Sequence, residues 1–190
     1  MARIVLASGS PRRQELLRRI GLTDFTVRVP QVEEYYPASL SPEEIVTYIS
    51  REKSLAVPSD EDEIVITADT MVFLGCERLG KPHDAAQALE MLSALQGREH
   101  TVCTGVTVRQ GQRILSRACS TRVFFRQASE DELRAYIAGG EPMDKAGAYG
   151  VQGQGALLVD RIEGDFFNVM GLPVTLLEQM LKAFGVCLLG

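Results

Sequence analysis

At 190 residues, 45% hydrophobic and 24% charged, the chain has the composition of an ordinary soluble globular protein, long enough for one sizeable domain or two tightly joined lobes. A net charge of -5 excludes a general basic field for nucleic acid, so any phosphate ligand has to be met by a local cluster. Four scattered cysteines (Cys76, Cys103, Cys119, Cys187) without a CxxC pair argue against a zinc site or a disulfide framework and point to reduced thiols in the cytoplasm. The N-terminus enters a strand without a signal peptide, and no apolar run approaches the length of a membrane span, so no membrane partner is expected.

The apolar run Ile4–Ala7 reads as a buried strand. Ser10 is placed to cap a helix that has Pro11 at its first position, carries Leu16, Leu17 and Ile20, and stops at Gly21. Residues 25–29 alternate as a strand ended by Pro30. Ser41-Pro42-Glu43-Glu44 is a capping box opening a helix with Ile45, Val46, Ile49, Ala56 and Val57 on one face. Glu63–Thr67 reads as a second buried strand that ends at Ala68-Asp69-Thr70, and Met71–Leu74 resumes one. Gly75 to Gly80 forms a turn, and Asp84 caps a helix through Leu95. The middle of the chain is β-rich, with residues 100–108 and 113–125 joined at Gln110-Gly111-Gln112. Ser129-Glu130-Asp131-Glu132 is a second capping box. A glycine-rich run from Asp144 to Gly155 follows, then a strand over 156–159 and a last helix carrying Leu176, Leu177, Met180 and Leu181. Strands and helices interleave, but the central hairpin breaks a pure βαβ pattern. The expected fold is therefore α/β, a mixed central β-sheet flanked by helices.

The residues that invite chemistry are unevenly placed along these elements. Ser8-Gly9-Ser10-Pro11-Arg12-Arg13 is a strand-to-helix turn with two arginines in the first helical turn, where the dipole favours acids. Local stability alone does not select them, whereas an anion held by backbone N–H groups, serine hydroxyls and guanidinium forks does. The plain alternative is a solvent-exposed arginine pair. At about 100° per residue, Lys53 falls inside the apolar arc of its helix, where it either snorkels to the surface or projects into a cleft. Asp69, where a hydrophobic strand runs out, is either a strand-end cap or a carboxylate that binds a divalent metal or takes a proton from water. Glu33 is a solvated loop acid or a second such carboxylate. Lys81, between a glycine and a proline, and Lys145 are further candidate cations. The glycine-rich run is either a set of turns or a place where backbone approaches a ligand. It is neither a Walker loop nor a dinucleotide fingerprint. Gln152 within it offers the donor and acceptor that suit the imide edge of uracil or thymine. His83 and His100 lack metal-ligand spacing and read as structural.

Taken in order, Ser8 to Arg13, Glu33, Lys53, Ala68-Asp69-Thr70, Gly80-Lys81-Pro82, the run Asp144 to Gly153 and the stretch Asp165 to Pro173 resemble the Maf family of nucleoside triphosphate pyrophosphatases. The resemblance spans the chain and implies a single Maf-like domain over 1–190, with two lobes around a substrate cleft as in inosine triphosphate pyrophosphatases. It implies hydrolysis between the α- and β-phosphates to a monophosphate and pyrophosphate. Ser8, Arg12 and Arg13 would hold the polyphosphate. Lys53 and Lys81 would neutralise developing charge, and Asp69 would orient or deprotonate water. A Mg²⁺ or Mn²⁺ would be held by Asp69 with Glu33. Within the family the chain resembles the branch acting on dTTP and UTP, whose discriminating arginine, threonine and glutamine fall here on Arg12, Thr70 and Gln152. The branch acting on 7-methyl-GTP has glutamine directly after the aspartate. A homodimer is implied as well. Two other readings stand beside this one: a non-catalytic nucleotide-binding regulator of cell division or DNA uptake, and a pyrophosphatase for modified purine triphosphates.

Overall fold

The structure is a computed structural model describing residues 3–33 and 35–189. Its strands form a mixed sheet in the order β2 (Thr26–Val27), β1 (Arg3–Leu6), β3 (Glu63–Leu74), β5 (Glu99–Gln110), β6 (Arg113–Phe125), β7 (Val159–Glu163), with β4 (Glu77–Leu79) paired to β3. The chain divides into two units. The first comprises the residues up to Thr70, Thr104–Cys119 and those from Gly171 on; the second comprises Met71–Cys103 and Ser120–Met170.

In the first unit β1 (Arg3–Leu6) pairs parallel with β2 (Thr26–Val27) and with β3 (Glu63–Leu74), in the register Arg3↔Glu63 to Leu6↔Ile66. Ile4, Val5, Leu6 and Ile64, Val65, Ile66 are all buried, as expected where a parallel pair is covered on both faces. Helix α1 (Pro11–Arg19) begins at its proline and ends before Gly21, whose φ of 88° only glycine adopts without strain. Ser10 has the extended backbone of an N-cap, but its side chain makes no cap hydrogen bond. Pro11, the first helical residue, has no N–H, so that position leaves no donor to be satisfied.

Helix α2 (Pro42–Leu55) forms the full capping box: Ser41 Oγ accepts from the Glu44 N–H, and the Glu44 carboxylate accepts from the Ser41 N–H. Its buried face is Ile45, Val46, Ile49, Ser50 and Ser54, while Ala56, which the sequence placed on that face, is exposed beyond the helix end. The C-terminal carbonyls of α2 are closed by Arg109 of β5 (Glu99–Gln110), whose guanidinium donates to Ser54 O at 2.9 Å and Val57 O at 2.7 Å. The helix lies directly on β5. A Cβ on Gly105 would stand 2.1 Å from Val46 O, so only glycine fits. Two further contacts fix its rotation: Thr67 Oγ1 donates to Ser50 O at 2.7 Å, and Ser50 Oγ meets Thr107 Oγ1 at 2.9 Å, the latter hydroxyl lying in turn 2.7 Å from Ser116 Oγ.

Two expectations change here. The strand over 25–29 shrinks to two exposed residues. The break expected at Ala68-Asp69-Thr70 is absent, because β3 is continuous for twelve residues and passes from one unit to the other after Thr70. A carboxylate is tolerated inside this buried strand because a lysine faces it, as described below. The last helix, α6 (Val174–Ala183), buries Val174, Leu177, Met180 and Leu181; Leu176 is only half-buried.

In the second unit the turn expected at 75–80 is a hairpin whose return strand, β4 (Glu77–Leu79), pairs antiparallel with β3. Helix α3 (Ala85–Leu95) is capped by Asp84, and α4 (Glu130–Ala138) forms the second complete capping box. Strand β6 (Arg113–Phe125) follows the turn at Gly111 in the first unit and enters the second at Ser120, where β7 (Val159–Glu163) pairs antiparallel with it. The strand expected at 156–159 starts only at Val159, because Gln154–Leu158 is a 3₁₀ turn. A short helix α5 (Phe166–Met170) precedes Gly171. One apolar core joins Leu92, Leu95, Val123, Leu133 and Leu158. Beside them His100, Phe125 and Tyr149 pack edge to face, and His100 Nε2 lies 2.7 Å from the Tyr149 hydroxyl. His100 is 1% exposed, and burial lowers its pKa to about 4. It is neutral and structural, as its lack of metal-ligand spacing implied; His83 is exposed.

Candidate active site

The turn between β1 and α1 places Ser8, Arg12 and Arg13 at the positive end of a nine-residue helix with no acidic residue in its first turn. Ser8 is 6% exposed, and its hydroxyl accepts from the Ser10 N–H at 3.2 Å and from Arg13 NH1 at 3.2 Å. A hydroxyl that accepts twice still has its proton to donate. The Arg13 guanidinium also donates from Nε to Gly171 O at 2.8 Å and from NH2 to Thr70 Oγ1 at 3.1 Å. It is thus aimed by three separate stretches of the chain. Thr70 Oγ1 in turn lies 2.8 Å from Thr104 Oγ1 and 3.4 Å from Gly171 O. Its hydroxyl is occupied by these protein partners, which makes it an orienting group for Arg13. Gly171 has a φ of 114°, and an added Cβ would sit 3.6 Å from Thr70 Oγ1 and 3.7 Å from Arg13 Nε.

Directly before Thr70, Asp69 is 6% exposed. Its Oδ1 accepts from Lys53 Nζ at 2.6 Å; the two side chains are 8% and 17% exposed. Its Oδ2 is buried with no hydrogen-bond partner. Lys53 reaches this position because the last turn of α2 is held by Arg109, Ser50 and Thr67. The first unit therefore joins two sets that the sequence left separate: a clamp of Ser8, Arg13, Thr70 and Gly171, and an ion pair of Lys53 and Asp69 in which Asp69 is the chain neighbour of Thr70. Glu33 stands exposed in a loop of the same unit.

The remaining candidates belong to the second unit. Lys81 is exposed, and the preceding carbonyl, Gly80 O, accepts from the Gly147 N–H at 3.0 Å, so the lysine's backbone is anchored to the glycine-rich run. There the chain takes left-handed φ values at both Gly147 (71°) and Ala148 (61°), the latter a strained conformation for a residue with a Cβ. Lys145 donates to Glu141 O and Asp144 Oδ1, both at 2.7 Å, and serves the loop itself. Gln152 is exposed.

Sequence reasoning missed Thr104, Arg109, Tyr136 and Glu141, whose roles are contacts over many residues. For Glu141 a signal existed: an acid between Gly140 and Pro142 at the mouth of a glycine-rich run. Among the described residues, no group of three or more His, Cys, Asp or Glu is placed to hold a metal ion, and no helix is long and apolar enough to cross a membrane.

Comparison with known proteins places these features in context. The sequence model of the family described as "Maf-like protein" matches residues 3–184. A dTTP/UTP pyrophosphatase of Moorella thermoacetica is 48% identical over 189 residues, covering 98% of this chain and 97% of that protein. A dTTP/UTP pyrophosphatase of Bacillus velezensis is 46% identical over 185 residues, covering 97% of each. Among solved structures, a HAM1 protein from Coxiella burnetii matches with a TM-score of 0.52 at 12% identity, covering 96% of this chain and all of that one. At that identity the likeness shows the fold alone.

Proposed function

The chain belongs to the Maf-like protein family, and from that premise we propose that it is a nucleoside triphosphate pyrophosphatase acting on dTTP and UTP. Water attacks the α-phosphorus, the bond from that phosphorus to the α–β bridging oxygen breaks, and the products are the nucleoside monophosphate and pyrophosphate. The observation that carries the reading is the state of Asp69: a buried carboxylate with one oxygen on a lysine and the other without a partner. An unsatisfied carboxylate oxygen is the acceptor that a water or cation entering the site would take, to be oriented and deprotonated or to be ligated.

Ser8, Arg12, Arg13 and the start of α1 bind the polyphosphate. Arg13 is pre-aimed by Thr70, Ser8 and Gly171, so little is lost in ordering it. Lys53 holds Asp69 in place and offsets negative charge beside it. Lys81 and Gln152, assigned from the family resemblance, neutralise the leaving group and read the base. A magnesium-type cation is held by one or two carboxylates and substrate phosphates; Asp69, with its unsatisfied Oδ2, would be one protein ligand, and Glu33 is the second that the family resemblance implies. Such a cation, when bound, polarises the phosphate oxygens and lowers the pKa of water. A homodimer in the cytoplasm belongs to the same reading.

The test is pyrophosphate release from dTTP, UTP, CTP, GTP, 7-methyl-GTP and ITP with Mg²⁺ or Mn²⁺, with Asp69→Asn alongside. Release from dTTP and UTP is expected, with turnover lowered on the order of 10²–10⁴-fold in the variant and nucleotide binding retained. Near-normal turnover in the variant would remove Asp69 from its role. Binding without release from any nucleotide would identify a regulator instead.

A further inference from the structure

The glycines of the 144–155 run are crowded by the protein itself. A Cβ on Gly153 would stand 2.2 Å from Glu141 Oε2, one on Gly155 would stand 2.4 Å from Gly150 O and 2.7 Å from the Tyr136 hydroxyl, and one on Gly150 would stand 2.6 Å from Lys145 Cε. The backbone is wrapped around one side chain, Glu141. Its Oε2 accepts from the Gln154 N–H at 2.8 Å, and its Oε1 accepts from the Gly155 N–H at 3.1 Å and from the Tyr136 hydroxyl at 3.0 Å. The Tyr136 oxygen accepts in turn from the Gly150 N–H at 3.2 Å. Burial raises the Tyr136 pKa well above that of a free phenol, so it keeps the proton it donates. One carboxylate therefore closes the loop from both sides, directly at residues 154 and 155 and through Tyr136 at residue 150. Gln152 sits at the tip between these points, with its side chain exposed.

We propose that Glu141 is a positioning residue for substrate selectivity: its carboxylate, with the Tyr136 hydroxyl, fixes the backbone on either side of Gln152 and so the orientation in which that amide meets the base. The proposal rests on the reading of Gln152 as the residue that recognises the pyrimidine. A carboxylate accepting three hydrogen bonds cannot be replaced by an amide without turning at least one N–H toward another donor. Glu141→Gln keeps the volume and the crowding and changes this pattern together with the charge; Tyr136→Phe breaks the pattern without changing charge.

The experiment is kcat and KM for dTTP, UTP, CTP and GTP in the wild type, Glu141→Gln, Tyr136→Phe, Gln152→Ala and the Glu141→Gln/Gln152→Ala pair, with a melting curve for each. The expected result is a fall of about tenfold in the preference for dTTP and UTP over CTP and GTP in Glu141→Gln, carried mainly by KM, a smaller fall in Tyr136→Phe, and no further fall when Gln152→Ala is added. A merely structural role would depress all four substrates together and leave the preference intact. If Gln152→Ala loses the preference while Glu141→Gln and Tyr136→Phe keep it, the proposal is wrong and the reading of Gln152 stands. If Gln152→Ala keeps the preference, both fall. Should Glu141→Gln not fold, Tyr136→Phe, which deletes a single hydroxyl, carries the same test.

Discussion

Replacing Lys53 by methionine keeps the aliphatic stem and removes the charge that Asp69 faces. At 2.6 Å and an effective dielectric constant of about 20, the gross attraction in the pair is about 6 kcal/mol. Most of that is offset by the desolvation of two side chains that are only 17% and 8% exposed. What the variant suffers is a carboxylate left inside β3 with neither oxygen satisfied, since Oδ2 already has no partner. Breaking a fully buried pair this way costs about 3–5 kcal/mol. The partial exposure of Lys53 gives water some access and brings the expected cost to about 2–3 kcal/mol. For a chain of this size that is a fall in Tm of about 4–12 °C. The assay is urea unfolding of the wild type, Lys53→Met, Asp69→Asn and the double variant. Asp69→Asn removes the buried charge itself, so the double variant is expected to recover about 2 kcal/mol relative to the sum of the singles. Additivity within about 0.5 kcal/mol would refute the coupling and with it the account of why β3 tolerates an aspartate.

Two further outcomes follow from the fold. His100 is held neutral, with a pKa of about 4 against about 6.5 for a free imidazole, so between those values the unfolded chain binds the proton and the folded one does not. Stability is therefore full above pH 6.5 and declines as the pH falls toward 4, by about 3 kcal/mol from this residue; urea midpoints against pH should show a slope that His100→Gln flattens, and equal slopes would count against it. Gly105→Ala puts a methyl group 2.1 Å from the Val46 carbonyl, and since that atom is backbone the whole of α2 must shift. The expected cost is about 3 kcal/mol in urea unfolding, with activity lost as well because α2 carries Lys53; an alanine variant of wild-type stability would show that α2 and β5 do not touch there.

The caps, stops and reversals of this chain were legible in the sequence because each is decided within about four residues. Ser41 and Ser129 open helices with both bonds of the capping box in place, Asp84 caps α3, and Gly111 turns the central hairpin. The motif residues were legible for a different reason: they matched a family pattern, residue by residue, before their surroundings were known. Where local chemistry was ambiguous the sequence misplaced structure. A polar Ala68-Asp69-Thr70 looked like the end of a strand, and only the lysine sixteen residues earlier made its interior position tenable.

The tertiary structure decided how the named residues are held. Arg13 is oriented by Thr70 and by the Gly171 carbonyl, 57 and 158 residues away in the chain. Lys53 reaches Asp69 through Arg109 and Ser50, and the glycine-rich run closes on Glu141 rather than standing open. Composition and spacing specify which groups a chain carries and how its backbone starts and stops. Which acceptor each donor finds is settled by close packing, since a buried polar atom must take the partner that folding brings beside it.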